Sequence, residues 1–153
     1  MRSFCCGTTD PEDKAQQWGS VKATGAALTF SSDWPCTFPP DPLVGIQEAV
    51  TRGRYAEGHI GVIPPTQFTA QPHEDQPLAA GAANQRLSLE EALKAYLRGA
   101  YAEFTDDRLG TLEVGKYADL AVLSRNLFEV KPEEIGGIHV DLTMVGGKVV
   151  YKR

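Results

Sequence analysis

The stretch from Leu89 to Phe104 is the strongest constraint on the fold. Leu89, Ala92, Leu93, Tyr96, Leu97, Ala100, Tyr101 and Phe104 recur at helical spacing, while Glu90, Glu91, Lys94 and Arg98 fall off that stripe. Ser88 and Glu91 have the spacing of a capping box, in which the hydroxyl accepts from the third helical amide and the carboxylate accepts from the cap amide. The pattern predicts a helix over 89–104. A stripe of that length needs other apolar surface to pack against.

The chain on either side indicates what that surface is. "GTLEVGKYADLAVLS" and "VDLTMVGGKVVYKR" are short β-rich runs punctuated by glycine, and Gly146-Gly147 is a two-residue hairpin signal. Three or four antiparallel strands are expected there, with one helical turn at Pro132 to Ile135 in the connection. Upstream, Lys14 to Ala23 reads as a short helix broken by Gly25. Ala26 to Ser32 is a compact apolar run bounded by Gly25 and by Asp33-Trp34-Pro35, which suits a buried strand. Asp41 and Pro42 then give an N-cap and a first-turn proline before Leu43, Ile46, Ala49 and Val50, a second helix over 43–51. The class is α/β. Residues 1–14 read as a flexible lead-in, 15–106 as an α/β segment and 107–153 as a β segment. The Gly-, Pro- and Ala-rich loop 53–86 is either functional or an insertion, because structureless loops of that length are uncommon in a compact domain.

Composition narrows the function classes. The 153 residues suffice for one domain with its own core, and 42% hydrophobic content with 23% charge is that of an ordinary globular protein. No apolar run is long enough for a membrane span, and the N-terminus lacks a signal-peptide core, so a cytoplasmic location is expected. Cys5, Cys6 and Cys36 are an odd number without C-x-x-C spacing, which argues for free thiols. A net charge of −5 with scattered Lys and Arg leaves no basic patch for nucleic acid.

Four ordered motifs carry a family resemblance. "SSDWPCTFPPDPLVGIQEAVTR", "RLSLEEALKAYLRGAYAEF", "RLGTLEVGKYADLAVLSRN" and "MVGGKVVYK" together resemble the C-terminal part of the metal-dependent amidohydrolase superfamily, in its YtcJ-like subgroup. The resemblance implies a fold made of the final strand-helix part of a TIM-type (β/α)8 barrel followed by a partial C-terminal β-sandwich. By that resemblance Asp33 is the strand-eight metal ligand and the catalytic acid/base. Barrel strands present catalytic groups at their C-terminal ends, and a carboxylate there can move a proton from water to a leaving amine. The implied cofactor is a divalent metal, zinc above all, and the implied reaction is hydrolysis of a non-peptide C–N bond.

The family's other ligands are an H-x-H pair, a lysine or carboxylate, and two further histidines, and they belong to barrel strands outside these 153 residues. His59, His73 and His139 match none of those positions. A catalytic zinc needs about three protein ligands, so the isolated chain is expected to be a truncated, inactive amidohydrolase. Two partners are consistent with that reading: a polypeptide supplying the missing barrel, or further copies of this chain. In the second case the product is either a non-catalytic oligomeric binding module or an oligomer whose site combines Asp33, His59 and His73.

Each candidate residue also has a plainer role. Asp33 is either the ligand or a turn aspartate, and Trp34 either lines a substrate pocket or packs under a loop. Asp119 reads as a sandwich-turn residue. Asp106 and Asp107 are expected to end the long helix on a solvated face.

Overall fold

Capping chemistry sets where the helices start in a computed structural model that describes residues 17–32, 34, 40–51 and 85–153. The lead-in 1–14, the start of the first helix at Lys14, Asp33, Cys5, Cys6, Cys36, His59, His73 and the loop from 53 to 84 lie outside the described residues. Helix α1 (Trp18–Ala23) ends where Gly25 takes φ 82°. Helix α2 (Pro42–Thr51) starts as expected: Asp41 Oδ1 accepts from Leu43 N–H at 2.8 Å, and proline occupies the first turn.

Helix α3 (Leu89–Leu97) carries the complete capping box. Ser88 N–H donates to Glu91 Oε2 at 2.9 Å, and Glu91 N–H donates to Ser88 Oγ at 3.3 Å. The single helix expected over 89–104 is interrupted at Arg98 (φ −77°, ψ 3°) and resumes as the one-turn helix α4 (Gly99–Ala102). Glycine just after the interruption is the physical reason, since it disfavours a helix interior by about 1 kcal/mol relative to alanine.

The expected strand over 26–32 is not formed. Leu28 and Phe30 turn inward and Thr29 and Ser31 outward, the period-two pattern of extended chain. A strand requires a ladder, however, and the neighbour here is a helix: Phe30 N–H donates to Ala95 O at 3.0 Å. The segment is therefore half-buried extended chain laid on α3.

The C-terminal third follows its pattern closely. Strands β1 (Leu120–Leu123), β2 (Val140–Val145) and β3 (Lys148–Lys152) form an antiparallel sheet in the order β1-β2-β3, with Leu120 opposite Met144 and Val145 opposite Lys148. Gly146 and Gly147 link β2 to β3 with φ 55° and 78°, the positive values a tight two-residue turn demands. Two 3-10 turns, Leu127–Glu129 and Pro132–Gly137, fill the connection between β1 and β2.

The core sits between α2, α3 and these two turns. Leu43, Ile46 and Ala49 meet Leu87, Ala92, Leu127, Ile135 and Ile138. It therefore joins residues from both sides of the 106/107 boundary. Gln47 is buried with them, its Oε1 accepting from Gly136 N–H at 2.8 Å. From the sheet, Leu123 packs on this core, while every residue of β3 is exposed. The helical stripe is covered only at its start: Ala92 is buried and Leu89, Leu93 and Tyr96 pack on the core, but Leu97, Tyr101 and Phe104 are exposed. Among the described residues no helix is long and apolar enough to cross a membrane.

Candidate functional site

The chain leading to Asp33 is held by an aromatic column. The Phe30 ring lies 5.1 Å from Trp18, tilted by 51°, and meets Tyr96 edge-on at 5.6 Å. Edge and offset contacts at these spacings are the favoured aromatic geometries. Together with the Phe30 N–H bond to Ala95, they fix the segment on α1 and α3 three residues before Asp33. Tyr96 in turn crosses α2 at Gly45, where a Cβ would come within 1.8 Å of the tyrosine oxygen. Burial, with Glu48 and Asp41 adding to it, pushes the Tyr96 phenol up, which keeps it neutral.

Asp33 itself lies outside the described residues. Trp34 is 61% exposed. The remaining candidates separate cleanly. His139 closes the sheet through its backbone: Ser124 N–H donates to His139 O at 2.9 Å, and His139 N–H donates to Ser124 Oγ at 3.2 Å. Asp119 Oδ1 accepts from Gly146 N–H at 2.6 Å and so tethers the β2–β3 turn, a structural role. Asp106 and Asp107 are exposed after α4, with Asp107 3.6 Å from Arg108.

One carboxylate is strongly perturbed, and its role is also structural. Lys22 and the Ser88 amide lower Glu91 from 4.5 to about 2, which pins α1 to the start of α3. Among the described residues no three His, Cys, Asp or Glu side chains lie close enough to hold a metal ion.

Sequence patterns gave no warning of the Tyr96–Gly45 approach, because tertiary contacts of this kind leave no local signal. The hairpin and the Asp119 tether, by contrast, fall inside the two motifs "LEVGKYADLAVL" and "MVGGKVVY". A model of the amidohydrolase family matches residues 7–151. The chain belongs to the amidohydrolase family. It is a YtcJ-like segment: it is 27% identical over 137 residues to the amidohydrolase described as YtcJ of Bacillus subtilis strain 168, covering 89% of this chain and 22% of that protein. It is 34% identical over 155 residues to the protein LONG AFTER FAR-RED 3 of Arabidopsis thaliana, covering 93% of this chain and 23% of that protein. An imidazolonepropionase of Bacteroides thetaiotaomicron is 38% identical over 63 residues, 40% of this chain and 15% of that enzyme. The chain thus spans less than a quarter of the length of these relatives. No solved structure gives a significant match. Members of the amidohydrolase family are generally metal-dependent.

Proposed function

We propose that this chain is the strand-eight and C-terminal part of a YtcJ-like amidohydrolase, acting on a non-peptide C–N bond only together with the rest of the barrel. In this reading residues 15–106 derive from the barrel and residues 107–153 from the β-sandwich. The observation that carries it is one of proportion. The family match runs over residues 7–151, yet the chain spans less than a quarter of the length of its relatives.

Asp33 is then the one catalytic group this chain contributes. Its carboxylate serves as a ligand to a divalent metal, zinc for preference, alongside ligands from elsewhere. It also takes a proton from the attacking water and returns it to the leaving nitrogen. The exposed Trp34 next to it lines the substrate side. Phe30, clamped on α3, fixes the extended chain that runs into Asp33. Relatives named imidazolonepropionases favour a cyclic amide as the substrate class.

The test is complementation. A YtcJ-like amidohydrolase truncated before its own Ser-Asp-Trp-Pro segment is co-expressed with this chain, and hydrolysis of cyclic amides is assayed. Restored hydrolysis that disappears in Asp33→Asn, with the two polypeptides still co-purifying, is expected. Stable association without hydrolysis, or hydrolysis indifferent to Asp33→Asn, would overturn the assignment.

A further inference from the structure

The turn that ends α4 has an unexpected residue in its glycine slot. Thr105 N–H donates to Ala100 O at 2.8 Å and Phe104 N–H donates to Tyr101 O at 3.1 Å, the paired bonds of a Schellman motif. The slot left for glycine in that motif is filled by Phe104 at φ 57°. Among the described residues it is the one non-glycine with positive φ, a conformation crowded by its Cβ. Packing inside the chain gives no compensation, since Phe104 is 91% exposed. A large apolar side chain that breaks a local rule without an internal gain calls for an external one.

A receptor for such a ring lies one turn away. Leu97, Ala100, Tyr101 and Leu109 line an open groove of about 490 Å³. A cavity of roughly 150 Å³ is enough to hold a benzene ring. Arg98 and Asp106 also line the groove. Lys94 and Lys116, the other cations there, are paired within the chain with Glu90 and Glu113. Arg98 and Asp106 have no ion pair among the described residues. One unpaired charge of each sign beside the same groove is self-complementary under a two-fold axis, as an isologous interface requires.

We infer that this face joins two copies of the chain, Phe104 of each entering the groove of the other and Arg98 facing Asp106 of the partner subunit. An aromatic anchor seated in a partner's pocket is the usual centre of an interface's binding energy. The inference uses only the α3–α4 face and does not depend on the proposed metal site.

Sedimentation velocity on the 153-residue chain, from about 1 to 200 µM, tests it. A concentration-dependent monomer–dimer equilibrium is expected. Phe104→Gly should weaken the dimer by roughly 30-fold, the loss typical of an anchor, while the melting temperature holds or rises. Arg98→Asp and Asp106→Arg should each weaken it, and the double variant should restore it. A monomer at every concentration overturns the inference and leaves the face to the rest of the barrel. A dimer indifferent to Phe104→Gly, or a double charge variant no better than either single one, overturns it equally.

Discussion

Replacing Gly45 by alanine sets two well-measured effects against each other. Alanine in the interior of α2 favours the helix by about 1 kcal/mol over glycine. Its Cβ, however, would meet Tyr96 Oη at 1.8 Å and Cζ at 2.9 Å. The ring must retreat by roughly 1.5 Å to reach ordinary contact distance, and Tyr96 is held edge-on against Phe30 at 5.6 Å. Overpacking of this kind costs about 1–3 kcal/mol, so the net loss is about 1 kcal/mol. For a chain of this size that lowers Tm by ~2–4 °C. Thermal melts and urea titrations read it directly. Tyr96→Phe in the Gly45→Ala background should recover part of the loss, because the oxygen goes but Cζ stays. A Gly45→Ala protein more stable than the parent by the full helix-propensity gain would show that Tyr96 swings freely, and the clamp on the Phe30 segment would be wrong.

Other substitutions test the remaining joints. Gln47→Leu takes the acceptor from the buried Gly136 amide and should cost about 1–3 kcal/mol by urea titration. Asp119→Ala should loosen the β2–β3 turn by about 1 kcal/mol, whereas Asp119→Asn keeps an acceptor for Gly146 N–H and should stay close to the parent. The depressed Glu91 contributes stability that is complete above its ordinary value of 4.5 and lost as the pH falls toward about 2. Glu91→Gln should flatten that part of the acid-stability profile, measured as urea midpoints between those limits.

What the sequence made legible was local. The Ser88–Glu91 box, the Asp41-Pro42 start and the Gly146-Gly147 hairpin each declare themselves within a few residues, and each forms as read. The segment 26–32 reads as a strand because it is a short apolar run bounded by Gly25 and by Asp33-Trp34-Pro35. Whether it joins a ladder depends on a neighbour far away in sequence, and here that neighbour is α3. The helix reads as continuous over 89–104 because the apolar stripe outweighs one glycine in the pattern, yet it is interrupted at Arg98, just before Gly99. Its far end, Leu97 to Phe104, looked like core and is instead exposed. A stripe records the need for a cover without saying whether the cover is in the same chain. Asp33 was singled out by its motif alone, since an isolated carboxylate after an apolar run has no spacing to mark it.

The most direct test is the metal content of the purified chain. Elemental analysis is done on the size-exclusion peak, after purification without chelator or added metal, for the parent and for Asp33→Ala. If Asp33 is one ligand of a site completed by other polypeptide, both proteins will carry far less than one zinc, iron or manganese per chain. Near-stoichiometric metal in the parent that vanishes in Asp33→Ala would contradict this, because the chain would then build a complete site from its own residues.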